Sequence, residues 1–158
     1  MKNLRELDCS FTCVKNLSPL ASLTRLVKVS CKMTDVDDLG PLSGLENLEN
    51  LDCSYSMISD LSPLKNSNLK VLDVSACSEL RELVELGKLR ELRCNHTMVS
   101  RIDINATALA LVECQHTYVD NVDALLELPS MQRLDCSYSL VRKIKLNKQT
   151  TTIVINVY

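Results

Sequence analysis

Apolar and polar positions along this chain follow one phrase: a leucine, an apolar residue three places on, and a small side chain two places further. It reads Leu4-Arg-Glu-Leu7-Asp-Cys9-Ser-Phe-Thr12, returns as Leu48-Glu-Asn-Leu51-Asp-Cys53-Ser-Tyr-Ser56, and appears again as Met131-Gln-Arg-Leu134-Asp-Cys136-Ser-Tyr-Ser139. Copies start at Leu4, Leu26, Leu48, Leu69, Leu89, Leu109 and Met131, with a partial one from about Thr152. A self-similar period of about 20 to 22 residues marks a stacked-repeat architecture. Within each phrase the alternation Glu6-Leu7-Asp8-Cys9-Ser10 has the period of a strand with one buried face. Each copy is therefore predicted to add one short strand to a parallel sheet roughly 30 Å long.

The remainder of each copy predicts the opposite side of the molecule. Leu17-Ser-Pro19-Leu20, Leu39-Gly-Pro41-Leu42 and Leu61-Ser-Pro63-Leu64 place proline where its fixed φ suits a short helical or 3₁₀ turn. Ile102-Asp-Ile104 and Ile144-Lys-Leu146 alternate, which favours extended chain in repeats five and seven. A back of helical turns is wider than one of extended chain, so the curvature is expected to change along the molecule.

The phrase Leu-x-x-Leu-x-(Leu/Cys)-x-x-(Asn/Thr/Cys)-x-(Leu/Val) resembles the conserved segment of leucine-rich repeats over nearly the whole chain. The other half, Val14-Lys-Asn-Leu17-Ser-Pro19-Leu20-Ala-Ser-Leu23, is similar to the 22-residue class of phosphatase-regulatory subunits and bacterial internalins. A Cys- and Thr-rich style seen in protist proteins is a further likeness. The resemblance implies an α/β solenoid, a curved right-handed superhelix with a concave parallel β-sheet and a convex side of 3₁₀ turns, short helices or extended chain. It also implies protein binding. Where the family commonly has Asn after the strand, this chain has Thr12, Thr34, Ser56, Cys77, Thr97, Thr117 and Ser139. An inward hydroxyl ladder is expected to do part of the work of Asn, bonding backbone groups of neighbouring turns.

Composition fits one elongated domain spanning 1–158. Of 158 residues 46% are hydrophobic, but there is one phenylalanine and no tryptophan, so Leu, Val, Ile and Cys must fill the core. Six of the eight cysteines form a column, Cys9, Cys31, Cys53, Cys94, Cys114 and Cys136, with Val74 in the remaining place. Neighbouring strands about 4.8 Å apart do not bring β-carbons to the roughly 3.8 Å of a disulfide. One thiol per strand also fails to converge on a metal, so the column is read as small core hydrophobes. Reduced thiols point to the cytosol or nucleus. The tripeptides Asn16-Leu-Ser18, Asn95-His-Thr97 and Asn105-Ala-Thr107 match glycosylation acceptors but arise easily in a Ser/Thr-rich chain. Neither end carries a polar cap, so the chain is expected to be a segment of a larger protein, or to be covered by a neighbour or by end-to-end self-association.

Marking the inward positions exposes two outward columns. On the sheet face, between the two buried places, stand Asp8, Ser30, Asp52, Asp73, Arg93, Glu113 and Asp135. Acidic residues dominate, which suits either a solvated strand face or a ridge attracting a basic segment of a partner. Two residues past each cysteine position come Phe11, Met33, Tyr55, Ala76, His96, His116 and Tyr138. Met57, Met98, Tyr118 and Leu140 extend this rim, and Tyr158 is expected there too. Tyr and Met are enriched where proteins bind proteins, although such side chains can also simply roof a turn. His96 and His116 occupy equivalent places in adjacent repeats, so their rings should be neighbours; zinc would need two further ligands, and Cys94 and Cys114 point inward.

Motifs for catalysis are missing. The three glycines Gly40, Gly44 and Gly87 lie in the variable halves and form no phosphate loop. A formal charge of −2 and the acidic column disfavour nucleic acid, and no cofactor, metal site or membrane contact is expected. Arg142, Lys143, Lys145 and Lys148 read as a solvated loop face. Two functions remain: a non-enzymatic module that holds a partner protein on its concave face and rim, or a structural scaffold or spacer contacting neighbours through its ends.

Overall fold

The computed structural model describes residues 3–145 and 153–157. Eight three-residue strands form one all-parallel sheet in sequential order: β1 (Glu6–Asp8), β2 (Lys28–Ser30), β3 (Asn50–Asp52), β4 (Val71–Asp73), β5 (Glu91–Arg93), β6 (Leu111–Glu113), β7 (Arg133–Asp135) and β8 (Val154–Asn156). The partial copy thus supplies the eighth strand. Register is constant, with Leu7, Val29, Leu51, Leu72, Leu92, Val112, Leu134 and Ile155 side by side in the second apolar place. A one-residue slip would turn that row to solvent, so the alternation itself holds the register.

Three 3₁₀ turns, Ser18–Leu20, Gly40–Leu42 and Ser62–Leu64, back repeats one to three at the proline-bearing segments. The side chain two residues ahead caps each: Asn16, Asp38 and Asp60 accept from the backbone N–H of Ser18, Gly40 and Ser62 at 2.7–2.8 Å. Residues 102–104 form no helical turn, in keeping with the alternation of Ile102 and Ile104. Repeat six carries a single helical turn, α1 (Asp123–Leu126), which the hydrophobic spacing did not single out. Its signal was the same cap, for Asn121 Oδ1 accepts from the Asp123 N–H at 2.8 Å. Leu146, Lys148, Thr152 and Tyr158 lie outside the described residues.

The core is a continuous column of Leu, Val and Ile filled out by thiols. Leu26, Leu69, Leu89 and Leu109 from the first place of the phrase and Cys31, Cys53, Cys94 and Cys114 from the third are fully buried. All eight cysteines are free; Cys13 is the exposed one and Cys9 is half-buried. Burial pushes the thiols of Cys31 and Cys94 up to about 12 and Cys136 up to about 11. Cys114 moves in the same direction for the same reason.

The hydroxyl ladder departs from expectation in its partners. Thr12, Thr34, Ser56, Thr97, Thr117 and Ser139 donate to the carbonyl of the cysteine three residues earlier, at 2.6–2.7 Å, within their own turn. A hydroxyl on a single Cβ is short and takes the carbonyl of its own turn rather than a backbone group of the next. Cys77 bonds across repeats instead, its Sγ donating to the Cys53 carbonyl at 3.2 Å and pairing with Ser56 Oγ at 3.6 Å. The neighbouring Cys77 thiol, together with burial, pushes the Cys53 thiol up.

Candidate interaction surface

The rim column is set by an unusual backbone. Phe11, Met33, Tyr55, Ala76, His96, His116 and Tyr138 all adopt positive φ, between 52° and 60°. This left-handed conformation costs an L-residue roughly 1–2 kcal/mol and is normally left to Gly or Asn. The next repeat holds the turn in place. Phe11, Met33, Tyr55, Ala76, His96 and His116 each donate a backbone N–H to a carbonyl one repeat on, at 2.7–3.1 Å. Every rim side chain therefore leaves the molecule at the same point of its repeat, spaced like the strands.

That regularity stacks the rings. His96 and His116 lie face to face with centroids 4.4 Å apart and planes 12° from parallel. Tyr138 continues the stack on His116 at 4.5 Å and 9°. The neighbouring histidines anticipated from the repeat are thus two rungs of a three-ring ladder. At the other end Phe11 and Tyr55 are 69% and 52% exposed, and Lys32 Nζ lies over the Tyr55 ring at 5.7 Å. Met33, Met57, Tyr118 and Leu140 are exposed on the same edge.

The acidic column is less available than the alternation suggested. Asp8, Ser30, Asp52, Asp73, Arg93, Glu113 and Asp135 do line up in register. But Asp8, Asp52, Asp73 and Asp135 each accept, through Oδ1, the backbone N–H two residues on, at 2.9–3.2 Å, closing the turn at the end of the strand. Asp135 is a correction: at 5% exposure it is buried rather than displayed. Burial works against its charge, yet hydrogen bonds from Asn156 and Ser137 prevail and leave its carboxyl below the usual range. Arg93 joins Glu91 and Glu113 at 3.2 and 3.5 Å, so two members of the column neutralise one another. Asp52 and Asp73 remain partly exposed on adjacent strands.

In the terminal basic segment, Lys145 pairs with Asp123 at 3.2 Å. Among the described residues no three His, Cys, Asp or Glu side chains converge as metal ligands, and no helix is long and apolar enough to cross a membrane. The grooves are open furrows on the back: one of about 700 Å³ runs between residues 100–103 and 120–125.

No protein-family model and no curated protein matches the sequence. Solved structures do match the fold. The functional domain of InlJ from Listeria monocytogenes, which includes a cysteine ladder, superposes with a TM-score of 0.71 at 18% identity over 99% of this chain. Internalin C2 from Listeria monocytogenes gives 0.60 at 16% identity over 97% of this chain and 80% of its own. The leucine-rich repeat domain of APL1B gives 0.67 at 16% identity over 97% of this chain. The chain spans 44% of the InlJ structure and 55% of that of APL1B. Eight parallel strands in sequential order, one per repeat of the phrase, together with these superpositions, establish the fold as that of a leucine-rich repeat domain.

Proposed function

We propose that the chain is a non-enzymatic protein-recognition module that holds its partner across the sheet face and the aromatic rim. The observation that carries this reading is the rim itself: large exposed side chains held at positive φ in repeat after repeat, where Gly would be cheaper. A backbone cost met at each turn keeps the side chains in one row, Tyr and Met are enriched where proteins bind proteins, and the Tyr ring buries much area at low entropic cost. The candidate contacts are Phe11, Met33, Tyr55, His96, His116, Tyr118 and Tyr138, with Asp8, Asp52 and Asp73 beside them offering charge to a basic segment. Arg93 and Glu113 join through their pair, while Asp135 supports the turn from beneath. Free thiols throughout the core suit a reducing compartment such as the cytosol.

The test is the triple variant Tyr55→Ala, His96→Ala, Tyr138→Ala, checked by circular dichroism for the wild-type fold at the temperature of the binding assay. Affinity capture with cross-link mapping should recover a protein linked to the rim of the wild type and lose it in the variant. Retention of the same protein by the variant refutes the rim. It would leave the scaffold role, with contacts through the end strands, as the reading to pursue.

A further inference from the structure

One rung of the rim carries almost no side chain. Ala76 stands between Tyr55 and His96 with the same φ as Tyr55, 58°, and in the same backbone ladder, Tyr55 N–H to Ser75 O and Ala76 N–H to Asn95 O both being 2.7 Å. The backbone is therefore regular through repeat four, and only the ring is missing. Rungs follow the strand spacing, so the rim positions flanking Ala76 are about 9.6 Å apart, twice 4.8 Å. A planar group between them would lie about 4.8 Å from each. The built stack has 4.4 and 4.5 Å between its rings.

We infer that the slot over Ala76, walled by Tyr55 and His96, binds the guanidinium of an arginine from a partner protein. This rests on the reading of the rim as a binding surface and specifies the chemistry at its centre. Shape asks for a flat group, and charge chooses among flat groups. Lys32 already sets a cation over Tyr55, so this ring works as a cation acceptor in the molecule itself. Asp52 and Asp73, on the strands leading to Tyr55 and Ala76, use Oδ1 to close their turns; among the described residues Oδ2 of each has no hydrogen-bond partner. A guanidinium stacks on aromatic faces while its edge N–H groups reach carboxylates, which a lysine ammonium cannot match. The chain's own nearby arginine does not fill the slot, because Arg93 is held by Glu91 and Glu113.

The experiment titrates the folded protein, carrying labelled alanine methyls and histidine rings, with Nα-acetyl-arginine methylamide, then with the corresponding lysine and tyrosine amides. The arginine compound should give saturable shifts of the Ala76 methyl and the His96 ring. The lysine compound should bind more weakly, because an ammonium cannot lie flat between two rings while its edge reaches the carboxylates. Ala76→Tyr fills the slot and should abolish the His96 response; it is expected to fold, since Tyr55 and Tyr138 sit at φ 58° and 57° in the same place. His96→Ala, which removes one wall, should weaken binding several-fold. Absence of saturable shifts with arginine, equal binding by Ala76→Tyr, or preference for the tyrosine amide overturns the inference. If arginine fails while the triple variant still loses its captured partner, the slot is wrong and the rim stands. If arginine binds while capture is indifferent to the triple variant, the rim reading fails instead.

Discussion

Repeats one to three are backed by proline-led 3₁₀ turns and present Phe11, Met33 and Tyr55 as separate exposed side chains; behind repeat five residues 102–104 form no helical turn, repeat six has the single turn α1, and the rim of repeats five to seven presents His96, His116 and Tyr138 as one stack. Between these regions β1 to β7 do not change in length or register. The strand side is shared because each strand must pair with the next and bury the same row. The back only has to cover the leucines, and 3₁₀ turns or extended chain both do so. The rim has freedom of a third kind: its backbone is dictated by the neighbouring repeat while its side chain points outward, so the residue there can change at small cost to the fold.

The largest test of this contrast lies on the back. Leu61→Ala, in the helical half and fully buried, should cost about 2–5 kcal/mol by urea unfolding. Ile104→Ala should cost less, because Ile104 borders an open groove of about 570 Å³ into which its surroundings can relax. Equal losses would show that the two backs pack alike.

Alkaline pH probes the thiols that both halves share. In the folded chain Cys94 keeps its proton up to about 12, against 9.0 for an ordinary thiol. Above pH 9 the unfolded chain gives up protons that the folded chain retains, so the stability that burial provides is full below pH 9 and is lost as pH climbs towards 12. Each such thiol contributes a slope of about 1.4 kcal/mol per pH unit. Cys94→Val, which gives repeat five the residue that repeat four already has in Val74, should lower the slope by that amount in urea unfolding measured from pH 9 to 11. An unchanged slope would mean that Cys94 titrates freely in the folded state.

The hydroxyl ladder should show a difference between the interior and the first repeat. Thr117→Val strands the Cys114 carbonyl in a buried turn and should cost about 1–3 kcal/mol. Thr12→Val, where Thr12 is exposed and water can replace the bond, should cost less than about 1 kcal/mol. The smallest effect belongs to the rim. His116→Ala removes two stacked contacts and should lose about 0.5–1.5 kcal/mol. Phe11→Ala, with no stacked neighbour among the described residues, should leave thermal stability nearly unchanged; a comparable loss would show that Phe11 packs on the turn.

Much of this was legible beforehand because strand and core positions repeat. Leu7, Leu51 and Leu134 could be placed on one face from their spacing alone, and the prolines at 19, 41 and 63 marked their turns. The helical turn at Asp123–Leu126 was missed because it has no proline; the cap at Asn121, in the place of Asn16, was its only local sign. The candidate surface was half legible. The outward columns followed from alternation, but the burial of Asp135 and the pairing of Arg93 with Glu113 depend on neighbours a full repeat away.

By itself the sequence determined the repeat, the parallel order, the inward thiols and the rim's membership, since all follow from a period that short strands can satisfy in one way. Only the tertiary structure decided what the outward residues do. The positive φ of the rim, including Ala76, and the stacking of His96, His116 and Tyr138 arise when one repeat's carbonyl fixes the turn of the one before it. No single repeat contains that information, because each rung takes its position from the next.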